Sequence, residues 1–277
     1  ESNLDNIATA PMSMITYMQE KVAESKSEEE KLAKIANQLY QQKLQQLGFD
    51  PKTDDGVEDK KMRNSIVDFL TDTGKNKELR SKLTTMAKIY TGYETDGKIH
   101  HELIDPNLIN IALKVAAEDS DQNFTNHLIK LLDASTDGTT RGRLLRALSV
   151  NKSSEFAEEL RNWMLSDRLR GNEIYTILFS QIYNKDKQDG MWRWLKDNFD
   201  PFKKKIPASF QGRLPVIGSD FCTLEKKKEL NDFFVPIVEG LSGGPRSLAQ
   251  VTESIDLCIA KRKHYRPMLK AYFSTLD

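Results

Sequence analysis

The sequence lacks any apolar run approaching the roughly 20 residues that span a bilayer, so no transmembrane helix is expected. It lacks net charge: 41 Lys and Arg stand against 41 Asp and Glu. A balanced chain has no global attraction for nucleic acid or for a membrane surface. It has two cysteines, Cys222 and Cys258. The expectation is a pair of buried free thiols, with one disulfide as the alternative, and the redox compartment stays open. The start carries neither a Met nor a basic stretch followed by an apolar one. The chain therefore reads as a piece or processed form of a longer product, with no signal peptide. Convincing period-2 alternation is absent, so no sheet is expected.

What is present favours helices. Hydrophobic residues make up 38% and charged residues 30%, too much apolar content for a disordered chain. A length of 277 residues suits one large domain or two small ones. Between Leu144 and Phe199, helix-length segments follow in tandem. One carries Leu144, Leu145, Ala147 and Leu148; the next carries Phe156, Leu160, Trp163 and Met164. After a short apolar segment comes Met191-Trp192-Arg193-Trp194-Leu195-Lys196-Asp197-Asn198-Phe199. Each segment makes one apolar stripe on a helix. A short helix with a single stripe must stack on neighbours to bury it.

Helix starts at Asp121, Asp137, Ser153, Asn172 and near Lys187 recur about every 15 to 19 residues, so two helices per repeat give a period of roughly 32–35. Tetratricopeptide and ankyrin signatures are absent, and HEAT-like pairs fit better, with short loops making neighbours antiparallel. The expected fold is all-α: a HEAT-like α-solenoid of antiparallel helix pairs forming a curved bowl. It is read as one helical-repeat domain over residues 1–277, with N-terminal helices in 1–104, regular pairs in 105–200 and capping helices in 201–277.

Pro11 is expected in the first turn of a helix over 11–24. A stronger helix, with Leu32, Ile35, Ala36, Leu39, Leu44 and Leu47, is capped by Gly48. Asp54-Asp55-Gly56 marks a turn, and further stripes end at Gly74 and Gly92. Asp105 is read as an N-cap with Pro106 at the first helical position. The helix carrying Trp192 must end before Pro201. Thr223 caps a helix with Leu230, Phe233 and Phe234. Ser242-Gly243-Gly244-Pro245 is a loop from which a long helix starts, and a separate last turn or two holds Leu269, Tyr272 and Phe273.

His101-Glu102-Leu103-Ile104-Asp105 approaches the zinc motif H-E-x-x-H, but Asp105 replaces the second His and precedes a proline. The stretch reads as a loop, without the two ligands on one helix face that zinc needs. Ser242–Arg246 lacks the preceding strand and the Lys-Ser/Thr of a phosphate loop. The runs Lys203–Lys205, Lys226–Lys228 and Lys261–Lys263 read as solvated helix faces rather than a nucleic-acid groove, which would want interleaved aromatics. Residue chemistry alone thus describes a helical interaction module.

The order of several segments resembles a known family. These are Tyr40 to Gly48 with Phe49-Asp50-Pro51-Lys52, Leu145-Arg146-Ala147-Leu148 with Phe156 to Leu165, and Trp192 to Phe199. Phe221-Cys222-Thr223, Phe233-Phe234 and Gln250 to Ile255 follow. Over roughly residues 30–275 the chain resembles the C-terminal domain of zinc aminopeptidases of the alanyl, puromycin-sensitive and endoplasmic-reticulum peptide-trimming type.

The resemblance implies a non-catalytic bowl closing over a separate catalytic domain, with no cofactor in this chain and zinc in that missing domain. It implies two partners, its own N-terminal catalytic domain and peptide substrates, and neither nucleic acid nor membrane. Relatives use basic wall residues to hold a peptide's terminal carboxylate. Tyr183, before Asn184, stands where one of these would be, so that contact does not carry over. Arg143 and Arg146 are the remaining wall candidates. The alternative is a stand-alone helical-repeat scaffold. Met12, Met14 and Met18 are expected either to edge the contact with the catalytic domain or to fill the first helix pair.

Overall fold

A computed structural model describes residues 5–276, with side chains from Thr9 onward. Among these residues the regular structure is helical throughout, with no strand. The chain divides into two compact units, Glu1–Ala147 with Tyr265–Asp277, and Leu148–His264.

The first unit opens with α1 (Asp5–Tyr17), which runs into a π-helical turn, Met18–Val22. Then come α2 (Lys26–Leu47), α3 (Val57–Asp72) and α4 (Lys77–Tyr90). A 3-10 turn at His101–Leu103 leads to α5 (Ile109–Asp119), α6 (Gln122–Ala134) and α7 (Gly138–Val150), which crosses into the second unit. α2 packs on α3, and α4 on α5. Leu32, Ala33, Ala36, Tyr40 and Leu44 form the buried stripe of α2. Each Leu taken fully from water contributes about 1.5–3 kcal/mol. The Ser25 hydroxyl accepts from the Glu28 N–H to start α2. Gly48, at φ +79°, ends it with a backbone bond to Leu44, in a conformation that costs glycine little.

Arginines tie this unit's helices together. Arg63, 2% exposed, donates to the carbonyls of Gly48 and Leu47 at the end of α2 and pairs with Asp55 at 2.8 Å. Arg80 donates to Thr71 O and bridges Glu118 and Asp119 of α5. Arg266 makes a two-pronged contact with Glu28 and reaches Glu24.

The second unit holds α8 (Ser154–Trp163), α9 (Glu173–Ile182), α10 (Gln188–Asp197), α11 (Phe199–Lys205), the single turn α12 (Ala208–Gln211) and α13 (Leu224–Phe234). It includes most of α14 (Gly244–Phe273). α10 packs on both α8 and α9. Its Trp192 is completely buried, edge-on to Phe221 and Phe233, with its indole N–H donating to Glu229 at 2.8 Å. Trp194 meets Phe202 edge-on and donates to Asn162.

The caps expected at Asp121, Ser153 and Thr223 each accept an N–H three residues on, and Asp137 does the same for Thr140. Four expectations are corrected. Cys222 and Cys258 form a disulfide, not two free thiols, because the loop before α13 lies along α14 with the two Cα atoms 5.3 Å apart. Pro11 lies inside α1, which starts six residues earlier, at Asp5. Asp105 caps no helix: its carboxylate accepts from the backbone and side chain of Asn107 in a tight turn, and α5 begins at Ile109. Leu269 to Phe273 belong to α14 itself, which continues through Pro267. Before Pro201 the helix does end, at Asp197, but Pro201 then sits in the first turn of α11. Of the N-terminal methionines, Met12 is buried, Met14 is 44% exposed and Met18 is half-buried.

Candidate functional site

α9 has two faces. Ile174, Ile177, Leu178, Gln181 and Ile182 point into the second unit. The other face carries Tyr175 and Phe179, and Tyr183 follows at the helix end; a spacing of four residues aligns them in one row. Phe210 packs on Tyr175 with ring centroids 4.4 Å apart, and Phe179 lies parallel to Tyr183 at 6.3 Å. Tyr183 is 55% exposed, and its hydroxyl is 3.5 Å from that of Ser219. Burial pushes the Tyr175 hydroxyl above its ordinary pKa, so it stays neutral. Asn184 turns the chain into α10: its side-chain oxygen accepts from the Asp186 N–H. This arrangement offers a half-exposed aromatic surface with phenol hydroxyls, suited to apolar side chains and backbone amides, and it carries no acid–base pair.

Tyr183 and Asn184 are thus adjacent on the second unit, whereas Arg143 and Arg146 belong to α7 in the first. Arg143 is half-buried and Arg146 exposed. Nearby Arg141, which the sequence reading did not single out, is the buried arginine of that stretch, donating to Leu132 O and Ser135 O at the end of α6. The aromatic row was also missed. Its signal was present as Tyr175, Phe179 and Tyr183 at intervals of four, outside the Ile/Leu stripe.

The histidines are engaged otherwise. His100 contacts Asp96 at 2.9 Å and Glu102 at 3.5 Å, and the hydrogen bond it donates to Asp96 raises its pKa. His101 rests against the Tyr90 ring. Among the described residues no three His, Cys, Asp or Glu side chains gather as a metal site, so these residues do not fit a zinc centre. Lysines of two of these runs meet acids: Lys205 pairs with Asp167, Lys226 with Asp189, Lys227 with Asp256 and Lys228 with Asp232. No helix among the described residues is long and apolar enough to cross a membrane.

Fold and site together define an all-helical domain of packed helices. Residues 6–257 match the ERAP1-like C-terminal domain, and the chain belongs to that family. It is 26% identical over 216 residues to Aminopeptidase M1-D of Oryza sativa subsp. japonica, covering 76% of this chain and 24% of the relative. It is 23% identical over 243 residues to Aminopeptidase 2 of Candida albicans, covering 86% and 25%. Endoplasmic reticulum aminopeptidase 2 of Bos taurus is 26% identical over 145 residues, covering 51% and 15%. The chain therefore spans about a quarter of the length of the first two relatives.

Proposed function

We propose that this chain is the non-catalytic C-terminal domain of a zinc-dependent aminopeptidase, covering the catalytic cleft and forming a wall of the peptide chamber. The observation that carries this reading is the family match over residues 6–257, with relatives that bear the name aminopeptidase. Zinc and the reacting groups belong to the catalytic domain, which holds the metal that activates water. This chain's contribution is exclusion of water and large substrates and orientation of the peptide away from the scissile bond. The aromatic row of α9 with Phe210 supplies apolar contact, and Arg143 and Arg146 are the candidate cations. The Cys222–Cys258 bridge supports folding in an oxidising compartment, since structural disulfides rarely persist in a reducing cytosol.

The test compares the full-length protein with a version ending before Glu1, using peptides of graded length. The expected result is that removing the domain changes kcat/KM in a length-dependent way. A truncated enzyme that folds and keeps the same kcat/KM at every length overturns the chamber-wall reading.

A further inference from the structure

Arg161 lies near the end of α8 with 7% of its surface exposed. Its Nη1 donates to Gln181 Oε1 at 2.8 Å. Gln181, itself completely buried, donates from Nε2 to Ala157 O at 3.0 Å, which orients its oxygen toward the guanidinium. Arg161 Nε has no hydrogen-bond partner, and no described carboxylate forms an ion pair with this guanidinium. The guanidinium lies against α10 at Gly190, where a Cβ would come 3.2 Å from Nη1 and 3.3 Å from Nη2. Glycine at that position gives the cation its place on the helix backbone.

Buried guanidinium groups ordinarily meet carboxylates or fill their donors with carbonyls, because an uncompensated buried charge is costly. Arg63, also buried, does both. Arg161 pairs with no described carboxylate, and while Nη1 uses the Gln181 amide oxygen, its buried Nε is left over. Burial pushes it below its ordinary pKa; the like charge of Arg193 on α10 acts the same way, against Glu158 one turn earlier on α8. Asp189, next to Gly190, is taken by Lys226 at 2.9 Å.

We propose that Arg161, with the charge of exposed Arg193 in reach, forms an anion site on the α8–α10 face that takes a halide ion or a carboxylate. The planar donor edge suits either, and occupation neutralises the buried charge.

The test uses the whole 277-residue chain. Its melting temperature is followed against sodium bromide and, separately, sodium acetate, with a bulky organic sulfonate holding ionic strength constant. Crystals grown in bromide are read for anomalous signal. The expected result is a saturable rise in melting temperature and a bromide at the guanidinium edge. A response to both anions identifies a small-anion site; a response to acetate alone identifies a carboxylate site. Arg161→Gln removes the response, a weakening of about tenfold or more for a lost charged hydrogen bond. If that variant does not fold, Arg193→Gln, altered only at the exposed surface, weakens binding and serves in its place. Bromide at scattered surface positions with only water at Arg161, or an identical response in wild type and Arg193→Gln, means adventitious ions only and overturns the site.

Discussion

The two units hold short helices together by different means. In the first, arginines cross from one helix to the next: Arg63 reaches from α3 to the end of α2, Arg80 from α4 to α5, and Arg266 to Glu24 and Glu28. In the second, aromatic area and one covalent bond take that role, with Trp192 among Phe221, Phe233 and Phe234, and Cys222 joined to Cys258. Helices of 10 to 16 residues, such as α3, α8 and α10, are marginal alone. Ion pairs at helix ends fix which carbonyls and carboxylates meet, so they specify geometry more than they add stability. Buried rings add stability through area and hold geometry through edge-to-face contact. The contrast is clearest in the two buried arginines, Arg63 with its donors used and Arg161 with Nε unpaired.

The largest expected effect breaks the aromatic side. Trp192→Ala removes a completely buried indole and its hydrogen bond to Glu229, costing about 3–5 kcal/mol. Hydrogen exchange read by mass spectrometry should show protection lost first in peptides from 148–264. Equal loss across both units would erase the contrast. Opening the disulfide comes next. Its partners are 36 residues apart, and reduction or Cys222→Ser should cost about 2–4 kcal/mol. Chemical denaturation with and without reductant checks this, and peptides from the first unit should keep their protection.

The smallest effect sharpens the charged side. Hydrogen bonds from Arg63 and Arg266 hold Asp55 and Glu28 below their ordinary pKa. For Asp72, burial works the other way, but the charge and hydrogen bond of Lys114 outweigh it and the pKa is again lowered. A lowered folded-state pKa means stability that is present above the unfolded value and lost as pH falls through the folded one. Exchange protection in the first unit should therefore decline between roughly pH 5 and pH 3, ahead of the second unit. In the second unit the lowered Asp167 and Glu225 are exposed, and exposed pairs contribute little. Simultaneous loss in both units would refute the assignment.

Much of the helix plan was legible locally. Asp121, Ser153 and Thr223 start helices because a side-chain oxygen three residues before an N–H needs nothing from the rest of the fold. Trp192, Leu195 and Leu160 are buried where their stripes put them. Where a local rule had two outcomes, sequence favoured the wrong one. Asp105 chose the turn over the cap, and Pro11 and Pro267 sit within longer helices than the stripes suggest. The aromatic row of α9 was readable but masked by the stronger apolar stripe beside it.

The sequence by itself determined the helical class, a run of helix starts from Asp121 to Lys187 and the family, because these follow from periodicity, capping chemistry and the order of segments along the chain. Tertiary structure alone decided which distant groups meet. Cys222 finds Cys258, Arg63 finds Asp55 and two carbonyls, and Arg161 is carried into the interior against Gln181. Pairing across tens of residues depends on how stripes stack, and a stripe records that a face is buried without recording what it is buried against.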